Sequence, residues 1–306
     1  MSTDTTSAST HVDREIRRQP EAWARALDQL PGLVGRLPST GERVAVIGCG
    51  TSWFMAAAYA TLREQLGQGE TDCFAASEFP TRRGYDRVVA ISRSGTTTEV
   101  IRAVAATRSP VLTITAVPDS AAAAGAADSI VLDFADEQSI VQTVFATTTL
   151  MLLRGSLGES LEPVVAQAAE VLRAEAPYPV ELESVDQVTY VGQGWAYGIA
   201  QEAALKMREA AQLWTESYPQ MEYRHGPISI AQPGRAVWVF GPAVPGLTAD
   251  IAATGATLVD ADLDPVADLV RAQLLAVQRA KAQHLDPDHP RHLSRSVVLA
   301  EAQRRS

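Results

Sequence analysis

Short apolar runs alternate with longer amphipathic segments along the chain. The runs RVAVIG, RVVAIS and VLTITAV, at residues 43–48, 87–92 and 111–117, each precede a segment rich in alanine or threonine. Apolar residues in those segments recur at helical spacing, whereas the runs themselves have the length and β-branched content of buried strands. This order of elements predicts an α/β fold in which parallel strands are flanked by helices.

Helical spacing also predicts three further helices. Residues 15–27 place Trp23 and Leu27 on one face, with Pro20 at an early helix position. Residues 139–153 and 161–175 are apolar and suited to helices. The prolines at 177–179 interrupt the pattern, and we place a domain boundary there.

The second half of the chain repeats the beginning of the first. QVTYVGQGWAYGIAQEAALKMREAAQL resembles RVAVIGCGTSWFMAAAYATLREQL, and Gly48 and Gly50 lie 144 positions before Gly192 and Gly194. We interpret this as an internal repeat of two domains, each a doubly wound parallel sheet flanked by helices. The alternative is that any two strand–glycine–helix units look alike. The predicted division is a flexible N-terminus at 1–14, a first domain with its leading helix at 15–176, and a second domain with a C-terminal tail at 177–306.

Composition excludes several classes of protein. The 306 residues carry a net charge of −10, and no basic cluster outweighs its acidic neighbours, so we expect no nucleic-acid or membrane partner. The two cysteines, Cys49 and Cys73, form neither a disulfide framework nor a zinc motif. The start of the chain resembles no signal peptide, and no apolar run approaches about 18 residues. A cytoplasmic protein is expected.

The glycine turns leave two kinds of ligand open. A strand followed by Gly-x-Gly is typical of dinucleotide-binding folds, and Asp72 lies at a suitable distance for a ribose-binding acid. However, the third glycine of that motif is replaced by Trp53 in the first half and by Tyr197 in the second. A bulky side chain opposes close packing of helix on strand there, so we favour the absence of a cofactor.

A turn rich in hydroxyl groups follows the second predicted strand. SRSGTTT, at residues 92–98, places five hydroxyls around one glycine at the start of a helix. Free backbone N–H groups, the helix dipole and hydroxyl donors suit a phosphate dianion. Thr51 and Ser52, at the preceding strand-to-helix turn, should lie beside it on the carboxyl edge of the sheet, where ligands bind. The alternative is that these residues only cap helices.

Several ordered motifs resemble the sugar isomerase (SIS) family, most closely the isomerase half of glucosamine-6-phosphate synthase and related phosphosugar deaminases and deglycases. They are EIRRQP, GCGTS, ASEF, SRSGTT, EAALKMRE, EYRHGPIS and DPDHPRHLSRSV, which together span nearly the whole chain. The resemblance implies that phosphate binds at Ser52, Ser92, Arg93, Ser94 and Thr97, with Thr51 close by. Arg93 replaces the usual Gln. The looser match EQSIVQT implies sugar contacts from Ile140 and Gln142.

The segment EAALKMRE implies the proton-transfer chemistry. Glu202, Lys206 and Glu209 lie near one another on a helix, since positions three and seven apart share a face. By resemblance Glu209 is the base that moves a proton between adjacent sugar carbons, and Glu202 and Lys206 are its polar surroundings. Without the resemblance these residues would be an ordinary solvated stripe.

Two further residues are assigned by the same resemblance. His225 corresponds to the histidine that opens the sugar ring and is supplied by a neighbouring subunit, which implies a homodimer with shared active sites; the alternative is a surface-loop histidine. Ser294 and Arg295 lie in the tail motif. Arg295 stands where the synthase has an imine-forming lysine, and a protonated guanidinium is a poor nucleophile, so we expect a cation that stabilises developing negative charge.

The predicted activity is therefore isomerisation or deamination of an amino sugar phosphate. Glucosamine 6-phosphate or a fructosamine 6-phosphate is the expected substrate, and the alternative is a sensor that binds sugar phosphates without turnover. A glutaminase domain is expected to be absent, because Ser2 follows Met1 where the synthase has its cysteine. His284, His289 and His292 lack a metal-binding pattern, so no metal is predicted.

Overall fold

The computed structural model describes residues 9–300, in which strands and helices alternate along most of the chain. The strands are β1 Val44–Gly48, β2 Thr71–Ala75, β3 Arg87–Ile91, β4 Val111–Thr115, β5 Asp128–Val131, β6 Gln187–Gly192, β7 Thr215–Pro219, β8 Arg235–Phe240 and β9 Thr257–Asp260. The helices are α1 His11–Leu33, α2 Thr51–Gln65, α3 Thr98–Ala106, α4 Ala121–Ala124, α5 Val144–Ser156, α6 Glu162–Arg173, α7 Ala196–Ala211, α8 Gln220–Tyr223, α9 Leu247–Thr254 and α10 Pro265–Ala282. Within the described residues no helix is both long and apolar enough to cross a bilayer.

The strands form two separate sheets, and every neighbouring pair is parallel. The first sheet has the order β2-β1-β3-β4-β5, and the second has the order β7-β6-β8-β9. The two orders match over four strands. Each sheet carries helices on both faces. The predicted α/β class with parallel strands is confirmed.

Alternating side chains of each strand enter different cores. Val44 and Val46 of β1 face the large core between the two sheets, whereas Ala45 and Ile47 face a smaller core against α3. The large core contains residues of both halves, including Phe145 of α5 and Trp238 of β8. Because both sheets share this core, the division into two domains stays a prediction.

Helices α2 and α7 cross closely inside the large core. A Cβ atom on Gly198 of α7 would lie 2.7 Å from the carbonyl oxygen of Phe54 and 2.9 Å from the amide nitrogen of Ala58, both on α2. Only glycine allows this approach of two backbones. The crossing brings the side of α7 against the N-terminal part of α2.

The first helix begins earlier than its sequence pattern predicts. Residues 11–14, expected in a flexible N-terminus, form the first turn of α1. The Thr10 hydroxyl accepts a hydrogen bond from the Asp13 N–H, and the Asp288 carboxylate accepts from the N–H groups of His11 and Val12. These acceptors satisfy N–H groups that a helix start leaves unpaired. Residues 1–8 of the expected flexible segment lie outside the described residues.

The predicted helix at 139–153 begins later, at Val144. The Glu137 carboxylate accepts hydrogen bonds from the N–H groups of Thr143, Val144 and Phe145 at 2.6, 2.7 and 3.1 Å. A carboxylate at this position stabilises a helix N-terminus through its free N–H groups and dipole. Residues 139–143 are therefore irregular, and the prediction of helix over them is wrong.

Candidate functional site

Two strand-to-helix turns meet at the carboxyl edge of the first sheet. Strands β1 and β3 are adjacent and parallel, with Ile47 opposite Ala90, so the turns that follow them lie side by side. Thr51 and Ser52 begin α2 after the first turn. All the hydroxyl residues at 51, 52, 92 and 94 are buried. The structure thus brings together the two segments that were predicted to bind phosphate.

Glycine at position 95 sets the path of the hydroxyl-rich turn. Its φ is +61°, and an added Cβ would lie 2.0 Å from Ser120 Oγ. The Ser92 hydroxyl accepts from the Gly95 N–H and the Ser94 hydroxyl accepts from the Thr96 N–H, each at 3.2 Å. These two serines shape the turn through local hydrogen bonds.

Thr97 stands immediately before α3 and does not cap it. Its backbone is extended, and its side chain makes no capping hydrogen bond. Gly50, before α2, has a positive φ and contributes no side chain either. Helix capping, the alternative use of these turns, therefore does not account for Thr97.

The acidic stripe of α7, which consists of Glu202, Lys206 and Glu209, lies against the N-terminus of α2. Lys206 Nζ lies 2.5 Å from Glu209 Oε2 and 3.5 Å from Glu202 Oε1, and it donates to Thr51 Oγ1 at 2.9 Å. Lys206 and Glu202 are buried, whereas the Glu209 side chain keeps 17% exposure. One ammonium group therefore joins the proposed base to the edge of the first sheet, and only Glu209 of the three reaches solvent.

The buried members of this cluster have shifted proton affinities. Burial raises the pKa of Glu202 to about 8, because it outweighs the attraction of Lys206. Burial disfavours the Lys206 ammonium, but the carboxylates of Glu202 and Glu209 outweigh burial and raise the pKa of Lys206. The two groups are coupled, since each one's charge affects the pKa of the other.

Segment 137–143 is held in place by two buried carboxylates. Glu137 accepts the hydrogen bonds at the start of α5, and Glu15 of α1 accepts from the Gln138 N–H at 2.6 Å and from the Ser139 hydroxyl. Burial raises the pKa of Glu15. Within the segment Gln142 Oε1 is buried and has no hydrogen-bond partner among the described residues. Nothing in the sequence pattern indicated that Glu15 and Glu137 position these residues.

Arg93 lies in the hydroxyl-rich turn at residues 92–98, but its guanidinium contacts residues outside that turn. The side chain is 1% exposed, and it donates to the carbonyl oxygens of Ser139 at 2.8 Å and Arg295 at 3.3 Å. Glu137 Oε2 lies 3.9 Å away. Burial lowers the pKa of Arg93, against the attraction of Glu137. The predicted contact of Arg93 with phosphate stays a prediction.

The C-terminal tail lies over the same turn. Thr96 Oγ1 is 3.0 Å from Ser296 Oγ, and the Thr98 N–H donates to the Val297 carbonyl oxygen at 3.1 Å. The Leu299 N–H in turn donates to Thr98 Oγ1 at 2.9 Å. These contacts fasten the tail to the first turn of α3.

The predicted tail residues occupy exposed positions. The Ser294 hydroxyl donates to the Ser296 carbonyl oxygen at 3.0 Å. Arg295 pairs with Asp136 at 2.5 Å and also donates to the Glu137 carbonyl oxygen. Arg295 therefore lies against the segment that carries Ile140 and Gln142.

His225 is not part of this assembly within one chain. It is exposed after α8, and its backbone N–H donates to the Glu222 carbonyl oxygen at 3.0 Å. No hydrogen bond in residues 9–300 joins its imidazole to the Lys206 cluster. Among the tail histidines, His289 pairs with Asp286 at 2.9 Å, and no group of three potential metal ligands occurs in the described residues.

The residues on which the dinucleotide alternative depends are the glycines of the strand-to-helix turns and Asp72 of β2. The Asp72 carboxylate accepts from the Tyr85 hydroxyl at 2.6 Å and from Arg83 at 3.1 Å. A Cβ on Gly48 would lie 2.7 Å from the backbone of Ser52, and one on Gly192 would lie 2.3 Å from that of Ala196. Both glycines thus permit close strand-to-helix turns, and the acid that a ribose would need is already paired.

Curated relatives match most of the chain. An isomerizing glutamine–fructose-6-phosphate aminotransferase from Gloeobacter violaceus is 28% identical over 328 residues, which cover 88% of this chain and 54% of that protein. The same enzyme from Methanothermobacter thermautotrophicus is 28% identical, covering 94% of this chain and 57% of that protein. The chain thus spans about half the length of the curated relatives it matches. No family model matches the chain.

Solved structures share the fold. A glucosamine-6-phosphate deaminase from Thermotoga maritima superposes with a TM-score of 0.78 at 24% identity, covering 95% of this chain and 100% of that one. A tagatose-6-phosphate ketose/aldose isomerase from Escherichia coli gives 0.77 at 19% identity, covering 95% and 97%. The predicted resemblance is confirmed: the chain is similar to the isomerase half of the isomerizing aminotransferases and has the fold of sugar isomerase (SIS) proteins.

Proposed function

We propose that this chain is a phosphosugar isomerase or deaminase that acts on an amino sugar phosphate such as glucosamine 6-phosphate or a fructosamine 6-phosphate. One observation carries the proposal: Lys206 Nζ bridges the Glu209 carboxylate and the Thr51 hydroxyl, at 2.5 and 2.9 Å. This bridge holds the partly exposed carboxylate of Glu209 beside the carboxyl edge of the first sheet, where the turns after β1 and β3 meet. Proteins that resemble the chain are named for the isomerisation or deamination of hexose phosphates.

The phosphate of the substrate is proposed to bind at the two turns after β1 and β3. Hydroxyl groups of Thr51, Ser52 and Thr97, at the starts of α2 and α3, suit an anion, as do the dipoles of these helices. Ser92 and Ser94 also supply hydroxyls while they shape the turn. Ile140 and Gln142 are proposed to contact the sugar; among the described residues, the buried Gln142 Oε1 has no hydrogen-bond partner.

Glu209 is proposed to move the proton between adjacent carbons through an enediol or enolamine. Its carboxylate keeps access to solvent, as a base that meets substrate must. The neighbouring Lys206 ammonium lies 2.5 Å from the Glu209 carboxylate and holds it beside Thr51. Arg295 provides a cation near the sugar segment without forming an imine.

The remaining assignments concern the assembly. We propose that His225 opens the sugar ring in the site of a partner subunit, because it is exposed and, within residues 9–300, forms no hydrogen bond with the Lys206 cluster of its own chain. This arrangement requires a homodimer. The matching strand orders of the two sheets support two repeated domains. A cytoplasmic location completes the proposal.

The test is incubation of the protein with glucosamine 6-phosphate, fructosamine 6-phosphate and fructose 6-phosphate in deuterated water. We expect deuterium beside the carbonyl carbon with at least one substrate, and ammonia or amine release with an amino sugar. Binding of all three without exchange would refute an enzyme and favour the sensor. Exchange with fructose 6-phosphate alone would replace the deaminase by a simple isomerase.

A further inference from the structure

Arg93 connects three parts of the chain that are far apart in sequence. Its backbone lies in the hydroxyl turn, while its guanidinium donates to Ser139 in segment 137–143 and to Arg295 in the tail. Both acceptors are backbone carbonyl oxygens. Arginine suits this role because its planar fork presents several N–H groups in fixed directions, which lysine and glutamine lack.

The contact between the segment and the tail is reciprocal. The Arg295 guanidinium, from the tail, donates to the Glu137 carbonyl oxygen of the segment and pairs with the neighbouring Asp136 carboxylate. Both arginine side chains therefore contribute to joining the tail to residues 136–139. Arg93 is buried, and the Arg295 side chain is 39% exposed. Since exposed ion pairs contribute little, the buried arginine should hold the tail more firmly.

The charges around Arg93 explain why it stays with these partners. The Glu137 carboxylate, 3.9 Å away, is fixed by the N–H groups of α5 and compensates the buried guanidinium. Glu15 and Asp136 add negative charge nearby, and Arg295 adds positive charge. If the guanidinium moved toward a ligand in the turn, the Ser139 carbonyl would lose its hydrogen-bond donor and Glu137 would lose its positive neighbour. For buried groups both losses cost free energy.

We infer that Arg93 is a positioning residue that fastens the C-terminal tail across the site, and that it does not bind phosphate through its side chain. With Arg93 in place, Val297 and Leu299 reach Thr98 at the start of α3. The consequence for turnover rests on the proposed function, whereas the fastening of the tail does not.

Hydrogen–deuterium exchange of the full chain tests the fastening directly. We expect Arg93→Met to speed exchange in peptides covering residues 293–299 by about tenfold or more, the factor for one lost charge-assisted hydrogen bond. Arg102→Met, which changes an exposed arginine on α3, is the matched control and should leave these peptides unchanged. Equal tail exchange in wild type and in a folded Arg93→Met protein would overturn the inference.

Titration with inorganic phosphate separates the fastening from direct ligand binding. We expect the Kd for phosphate to change less than about threefold in Arg93→Met, because the guanidinium donates to Ser139 and Arg295 and to no group of the turn. A rise above tenfold with a tail that still exchanges slowly would make Arg93 a phosphate ligand and overturn the inference. Arg93→Lys, which keeps the charge but not the fork, serves if the methionine variant fails to fold, and it should also loosen the tail.

Turnover provides a third, independent result. If the wild type is active, Arg93→Met should lower kcat more than it raises KM, because the tail would close less often over bound substrate. An inactive wild type would defeat the proposed function and leave the exchange result standing.

Discussion

The two halves of the molecule share an arrangement of strands and helices but differ in the side chains that this arrangement carries. Strand β3 is followed by SRSGTTT, whereas β8, which holds the same place in its sheet, is followed by GPAVPG without a hydroxyl. Only the first turn offers side-chain donors to an anion. The first half therefore has the features of the phosphate site, and the second half lacks them.

The helices that follow the first strand of each half show the opposite difference. Glu202, Lys206 and Glu209 of α7 lie 144 positions after Ala58, Leu62 and Gln65 of α2. Ala58 and Leu62 are buried apolar residues. Helix α2 contributes its N-terminus to the site, and α7 contributes its side. Under the proposed function, similar backbones would divide phosphate binding from proton transfer. The tight crossing at Gly198 allows this division, because it brings one helix end against the face of the other helix.

Removing the base should give the largest effect. Glu209→Gln keeps the size of the side chain but loses the proton acceptor, so we expect solvent-deuterium exchange to fall by about 10²–10⁴-fold. Phosphate binding should remain. Gln65→Ala changes the exposed residue at the matching position of α2 and should retain exchange. Undiminished exchange in Glu209→Gln would remove Glu209 from the mechanism.

Distorting each loop separately should show which half binds phosphate. Gly95→Ala forces a side chain into a backbone with φ +61° and against Ser120, so we expect phosphate affinity to fall about tenfold or more. Gly241 has a φ of +70°, but an added Cβ would make only ordinary contacts, with Pro265 Cγ at 3.6 Å. Gly241→Ala should therefore lower the free energy of unfolding by about 1–2 kcal/mol, through backbone strain alone. Calorimetric titration and thermal unfolding measure both effects. Equal losses of phosphate affinity would contradict the division between halves.

Burial of Glu202 on α7 should have a smaller effect, on the stability of the protein, and this effect should depend on pH. Burial raises the folded-state pKa of Glu202 to about 8, above the ordinary value of 4.5, so the folded protein keeps a proton that the unfolded chain releases. Stability should therefore fall as pH rises from about 4.5 toward 8, by at most roughly 2–4 °C in Tm per pH unit.

Glu202→Gln, which stays neutral, should flatten this part of the stability curve. Glu170→Gln, an exposed change on α6, should leave the wild-type slope intact. Thermal unfolding of the three proteins across this pH range makes the comparison. Parallel curves for wild type and Glu202→Gln would show that Glu202 titrates normally.

Sequence patterns predicted the interior strands better than the edges. Buried runs in β1, β3, β4 and β6 are apolar and easily recognised, and the structure confirms them as strands. The edge strands β2 and β7 are half-buried and include polar residues, as in TDCFA and TESYP. Their pairing depends on a neighbouring strand, so local composition did not reveal them.

The sequence by itself determined the α/β class, the order of the family motifs and the residue types of the hydroxyl turn and the acidic stripe. These features depend on periodicity and on short motifs, which are local. Tertiary structure alone decided that Arg93 turns to Ser139 and Arg295, that Glu15 holds segment 137–143, and that Lys206 meets Thr51. The reason is physical: these hydrogen bonds join residues 46 to 202 positions apart, and only the packed fold brings such partners within reach.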